Sequence, residues 1–183
     1  MKIFLETDRL YLRSWKDGDE DCLVKYANNR KVSINLRDRF PFPYTLNDAH
    51  EWIAFAGSKE PVINFAIEFD GQAVGGIGLI PGEDVFRRCA EIGYWLGEPF
   101  WGKGLMVEAL KAVTLYAFEQ LDFIRLHAGV FDWNPASARV LEKAGYILES
   151  RMKKSVFKDG QILDQLMYVS IRGTIPTCGP SFN

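Results

Sequence analysis

A strand, a long helix and a second strand follow one another between residues 89 and 131, and this succession limits the available folds more than any other stretch. Cys89-Ala90-Glu91-Ile92-Gly93-Tyr94-Trp95-Leu96 is apolar with little alternation, as expected of a strand in the middle of a sheet. Met106, Ala109, Leu110, Val113, Ala117, Phe118 and Leu121 recur at helical spacing. In residues 125–131, Leu126, Ala128 and Val130 share one face of a strand. Strands joined through a helix lie parallel, with a right-handed crossover.

The flanking sequence supplies further elements. Residues 8–13 alternate, with Leu10 and Leu12 on one side and Arg9, Tyr11 and Arg13 on the other, which predicts a half-buried strand. Asp17 and Glu20 read as a capping box for a helix with Cys22, Leu23, Tyr26 and Ala27 on one face. A short helix is expected over 30–36. Phe40-Pro41-Phe42-Pro43-Tyr44 is barred from helix, and its rings either line a cleft or pin the loop to the core. Thr45 and Asp48 open another helix, bearing Ala49, Trp52, Ile53 and Ala56 and ending at Gly57. Residues 62–69 and 72–80 form a hairpin around Asp70-Gly71. Gly75, Gly76 and Gly78 either weaken its second strand or admit a close backbone neighbour. Asn134 and Pro135 start a last helix, Gly145 ends it, and 146–157 with 161–171 close the chain as a hairpin around Asp159-Gly160. One domain over residues 1–172 with a tail of 173–183 is expected.

Composition narrows the partners. A net charge of −2 gives no basic surface for nucleic acid or an anionic membrane. The first residues lack the apolar core of a signal peptide, and no uncharged run is long enough to span a bilayer. Cys22, Cys89 and Cys178 lie far apart, which suits a reducing cytoplasm and gives no zinc spacing. No metal is expected.

Chemistry enters at Gly102-Lys103-Gly104, just before the long helix. Glycines let backbone N–H groups approach a ligand, the first-turn amides of a helix have no internal acceptor, and the helix dipole favours an anion there. A phosphate seat is the functional reading and a plain turn is the alternative. The run from Gly97 to Lys103 also spells most of a nucleotide-triphosphatase loop, but Gly104 stands where that loop needs a hydroxyl for magnesium.

Several motifs in order resemble one family. Ala90-Glu91-Ile92-Gly93-Tyr94-Trp95-Leu96, then Trp101-Gly102-Lys103-Gly104 and Glu108-Ala109, resemble the acyl-CoA site of the GNAT superfamily of N-acetyltransferases. Asn134-Pro135-Ala136-Ser137 and Leu141-Glu142-Lys143-Ala144-Gly145-Tyr146 resemble its second signature, and Thr7-Asp8-Arg9-Leu10-Tyr11-Leu12-Arg13 resembles the RimJ/RimL branch.

The resemblance implies a three-layer α/β (α+β) fold. Its mixed, mostly antiparallel sheet has about seven strands, with helices on both faces and a splayed parallel pair at 89–96 and 125–131. Acetyl-CoA, as co-substrate, would lie in that opening. Its pantetheine would pair with the backbone of Trp95 and Leu96, beside Trp101. Its pyrophosphate would rest on amides of Gly102, Lys103, Gly104, Leu105 and Met106, and Asn134, Ser137 and Lys143 would approach from the other side. Pro99 departs from the usual Gln or Arg at that place in the loop.

Acetyl transfer to an amine needs only a held pair of reactants, a base, an oxyanion donor and a stabilised thiolate. An alkyl ammonium has a pKa of about 10, so a base or water relay helps at neutral pH. Glu91 is the candidate base, or else a structural partner of a neighbouring arginine. A backbone N–H within 92–96 is the oxyanion donor. Many relatives place a tyrosine acid seven residues after the asparagine; Leu141 stands there, so the sulfur side falls to Ser137. His127 and Tyr168 read as structural, as does Asp164. The acceptor is a small amine or a protein N-terminus, and the protein a monomer or homodimer. Two rival readings are a catalytically silent CoA- or partner-binding protein and a nucleotide-triphosphate hydrolase.

Overall fold

The computed structural model describes residues 3–58 and 60–173. Among them, the strands are β1 Ile3–Glu6, β2 Tyr11–Ser14, β3 Asn64–Phe69, β4 Gln72–Pro81, β5 Cys89–Leu96, β6 Arg125–Phe131, β7 Ile147–Lys158 and β8 Gln161–Ile171. The helices are α1 Glu20–Ala27, α2 Arg30–Ser33, α3 Leu46–Gly57, α4 Leu105–Glu119 and α5 Pro135–Lys143. The tail expected after Gly173 lies outside the described residues. The strands form one sheet in the order β1-β2-β3-β4-β5-β6-β8-β7. Every neighbouring pair is antiparallel except β5 and β6.

Eight strands replace the expected seven because the short apolar start forms β1 against β2. The sheet separates two cores. Ala90, Ile92 and Leu96 of β5 join Leu105, Leu110 and Val113 of α4 on one side. On the other, Ala66 and Ala73 pack with Trp15, Leu23 of α1 and Ile53 of α3. Helices therefore cover both faces. A fully buried leucine such as Leu110 contributes about 2 kcal/mol to holding α4 on the sheet.

The β4 glycines serve close approach. A Cβ on Gly75 would lie 2.5 Å from the Trp95 carbonyl oxygen, and one on Gly76 would lie 2.8 Å from the Trp95 indole nitrogen. Asp70 and Gly71, with φ 49° and 75°, make the tight β3–β4 turn. Thr45 and Asp48 form a reciprocal capping box on α3, although Gly57 is the helix's last residue and Ser58 its cap.

Two sequence expectations are corrected near the start. Asp17 does not cap α1; Asp19 stands at the cap without making the side-chain bond. Its carboxylate instead grips Arg13, at 2.7 and 2.8 Å, while Glu68 takes the Arg13 Nε at 2.5 Å. Arg13 is thus buried rather than on a solvated face. Burial works against its charge, but the hydrogen bonds to Asp19 and Glu68 outweigh it and raise the guanidinium pKa.

Candidate active site

The turn from β5 into α4 is built by backbone geometry. Gly97 N–H donates to the Val74 carbonyl at 2.8 Å, and Glu98–Phe100 form a single 3-10 turn. Pro99 lies in the first turn of that element, so its place is structural. Gly102 and Gly104 have φ of 75° and 78°, a left-handed conformation that disfavours side chains. Gly104 caps α4 without a side-chain bond, and Glu108 N–H, bonding to the Gly104 carbonyl at 3.2 Å, makes the first return bond of the helix. The amides ahead of it are free to bind an anion.

The 7–9 turn clamps this loop. Thr7 Oγ1 and Arg9 N–H donate to Glu108 Oε1 at 2.6 and 2.9 Å, and Arg9 Nε donates to Glu108 Oε2 at 2.8 Å. Arg9 Nη1 also donates to the Lys103 carbonyl at 2.9 Å. Burial tends to raise the Glu108 carboxyl, but the hydrogen bonds from Thr7 and Arg9 prevail and hold it below its ordinary range. The one acid of the first helical turn is thereby neutralised beside the free amides. Lys103 Nζ lies 5.3 Å from the Phe100 ring centroid.

Beyond the turn lies the gap. β5 and β6 pair only through Cys89 with Arg125, Ala90 with Leu126 and Glu91 with His127. Arg88 carbonyl accepts from Ile124 N–H on the β6 side, whereas Cys89 carbonyl accepts from Gly82 N–H on the β4 side. Alternation then turns the peptide groups of Ile92, Tyr94 and Leu96 toward the gap and those of Gly93 and Trp95 toward β4. The Leu96 carbonyl already accepts the Trp101 indole N–H at 2.7 Å.

The gap has two unlike faces. On the α4/α5 face, Tyr94 OH meets Ser137 Oγ at 2.9 Å. Ser137 N–H donates to Asn134 Oδ1 at 3.2 Å, so the cap of α5 also positions the Ser137 hydroxyl. Burial pushes the Tyr94 phenol up to about 12, with the Ser137 hydrogen bond opposing. Leu141 is fully buried in the core.

On the opposite face, Glu91 Oε1 accepts from Arg37 Nη2 at 2.5 Å, and Arg125 holds Glu149 at 2.9 and 2.5 Å. Burial lowers the His127 imidazole below its ordinary value; nearby Glu91 opposes this, while Arg125 and Arg37 add to it. Glu91, His127, Cys89, Met167, Ile80 and Phe86 border a hollow of about 420 Å³. Phe40 packs on Tyr44 and Trp95 with centroids 5.3 and 5.8 Å apart, so the loop is pinned by those rings, whereas Phe42 is exposed. The β7–β8 turn reaches the same loop through Lys158 Nζ and Asp38, 2.6 Å apart, and reaches α2 through Arg30 and Asp159.

Comparison with known proteins gives this arrangement its family. Residues 9–147 match the acetyltransferase (GNAT) domain model. The chain belongs to the GNAT acetyltransferase family. Within it, the chain is an N-acetyltransferase. It is 29% identical over 151 residues to the SPbeta prophage-derived N-acetyltransferase YokL of Bacillus subtilis, covering 81% of this chain and 83% of that one. It is 29% identical over 179 residues to the [ribosomal protein uS5]-alanine N-acetyltransferase of Escherichia coli, covering 91% and 89%. RimL, the ribosomal L7/L12 α-N-protein acetyltransferase solved with coenzyme A, superposes with a TM-score of 0.82 at 22% identity, over 93% of this chain and 98% of that one. At that identity the likeness is one of fold.

In this acetyltransferase the sequence-selected residues divide into three groups. Trp101, Gly102, Lys103, Gly104, Leu105 and Met106 follow one another through the turn into α4, with Leu105 and Met106 side chains buried. Asn134 and Ser137 meet across the start of α5, while Lys143 is exposed at its far end. Glu91 stands on the opposite face. Tyr94 and His127 were not selected as catalytic from sequence. Alternation along β5 and β6 places both at the gap, but their packing against Ser137 and Glu91 depends on residues distant in the chain. Tyr168 bonds Glu142 at 2.9 Å, and Asp164 accepts from Arg151 and from Lys154 N–H, so both have structural partners. Among the described residues, no three or more His, Cys, Asp or Glu are grouped to hold a metal, and no helix is long and apolar enough to cross a membrane.

Proposed function

We propose that acetyl-CoA threads the β5/β6 gap and that a primary amine, from a small molecule or a protein N-terminus, attacks its thioester directly. The observation that carries this reading is the end of strand pairing at Glu91 and His127, immediately before the gap with two unlike faces. The diphosphate rests on the amides of residues 102–106, and the pantetheine pairs with the gap-side peptide groups of Tyr94 and Leu96. Residues 1–172 act as one catalytic domain in the cytoplasm.

Glu91 accepts the ammonium proton, directly or through a water. The neutral amine then forms a C–N bond at the thioester carbon, and a gap-facing N–H of β5 holds the oxyanion. Collapse breaks the C–S bond and releases the CoA thiolate, while the new amide nitrogen loses its second proton to solvent. A thiol has a pKa of about 8.5, well below the raised Tyr94 phenol. Tyr94 and Ser137 therefore serve the thiolate as hydrogen-bond donors, and full proton transfer from Tyr94 is uphill. His127, kept neutral by burial, is a second proton acceptor beside Glu91.

Thiol release from acetyl-CoA, measured across a panel of amines and peptides, tests this reading. Amine-dependent release supports it. Tight CoA binding with no release for any acceptor would instead favour a silent binding protein.

A further inference from the structure

The two gap strands carry matching side chains on their open face. From the paired Glu91 and His127, the next residue on that face of each strand is a glycine, Gly93 on β5 and Gly129 on β6. The next after that is aromatic, Trp95 and Phe131. Ionisable groups thus lie below, rings lie above, and both intervening positions lack a side chain. Both glycines are exposed.

The two glycines are not equivalent. A Cβ on Gly129 would run into the Gln165 side chain, 2.8 Å from its Cδ, so the Gln165 amide already fills that side. A Cβ on Gly93 would meet nothing within 4 Å. Gly93 is also absent from the glycines of positive φ, so its backbone is open to any residue. Neither packing nor conformation requires glycine at 93. By contrast, Gly75 and Gly76 in the adjoining strand are held by close neighbours. On the far side of the gap, the Tyr94 and Ser137 hydroxyls face where the sulfur would lie.

The geometry points to Gly93 as the acceptor aperture: its missing side chain is the opening through which the amine reaches the thioester, framed by Glu91, His127, Trp95 and the Gln165 amide. The opening lets the nitrogen enter end-on, on the same face of β5 as Glu91, which takes its proton directly or through a water. Gly93 is accordingly a specificity-determining position of the acceptor side and not of the cofactor side. This inference rests on the reading of the gap given under Proposed function.

The test is a graded series, Gly93→Ala and Gly93→Val, in the full chain. Three quantities are measured: the melting temperature, CoA affinity by calorimetry, and kcat/KM for an amine that the wild-type protein acetylates. Both variants are expected to melt with the wild type and to bind CoA as tightly. Transfer to the amine falls about tenfold with alanine and about a hundredfold with valine, as misplacement of a reactant by about 1 Å produces. Wild-type kcat/KM in Gly93→Val would overturn the aperture, and so would a loss of CoA affinity that parallels the loss of transfer. If the valine variant fails to fold, the alanine variant decides by the same criteria. A wild-type protein that acetylates no amine would fail the underlying reading itself, an outcome distinct from wild-type activity that ignores residue 93.

Discussion

The two faces of the β5/β6 gap differ in how they are made. Toward α4 and α5, Tyr94 and Ser137 form a half-buried hydroxyl pair at 2.9 Å. On the other face, Glu91, Arg37 and Arg125 bring charge to an open surface beside His127, with Gly93 bare on β5. Strand alternation assigns these roles by residue parity: Ile92 and Tyr94 face one way, Glu91 and Gly93 the other. In the proposed reaction one strand steadies the leaving thiolate and admits the nucleophile, since its two faces see different media. The buried face strengthens hydrogen bonds, while the open face exchanges protons with water.

Glu91→Gln should separate the faces most widely. We expect kcat to fall about 10²–10³-fold with CoA affinity unchanged, as loss of a general base produces. A variant that loses stability yet keeps kcat would reduce Glu91 to an Arg37 ion pair. On the buried face, Tyr94→Phe and Ser137→Ala should each lower kcat about tenfold. Because the two hydroxyls act as one unit, the double variant should fall little further. Multiplicative losses in steady-state rates would show two independent groups.

Gly104→Ala probes the loop that both faces share. Forcing alanine to φ near 78° costs about 1–2 kcal/mol and should weaken CoA binding about tenfold in calorimetry, with KM for the amine unchanged. The smallest effect concerns pH. Because the His127 pKa is lowered, the imidazole is neutral at pH 7 and becomes charged only below its ordinary value. Activity should therefore drop on acidification below about pH 6.5, and His127→Gln should shift or flatten that limb of the kcat/KM profile. An unaltered profile would leave Glu91 as the sole acceptor of the proton.

The turn from β5 into α4 was legible because its information is local. Gly102, Gly104 and the apolar period of α4 lie in one continuous stretch, as do Asn134, Pro135 and Ser137. The same holds for the Asp70-Gly71 turn and the Thr45–Asp48 box. The opposite face was less legible, because Arg37 reaches Glu91 across 54 positions and Lys158 reaches Asp38 across 120. No periodicity encodes such pairings. The expected Asp17 cap failed for a related reason: a short acidic residue before a helix reads as a cap, yet Asp19 stands at that position and buried Arg13 takes its carboxylate. The Thr7-Asp8-Arg9 stretch marked a family branch in sequence; in the fold it is the clamp on Glu108 and the Lys103 carbonyl.

Amide hydrogen exchange with and without CoA bears directly on the seat of the coenzyme. Binding should slow exchange at the amides of residues 102–106 and at Tyr94 and Leu96, and leave the β7–β8 hairpin unchanged. Tight CoA binding with undiminished exchange through 102–106 would contradict the account, whatever the enzyme's activity.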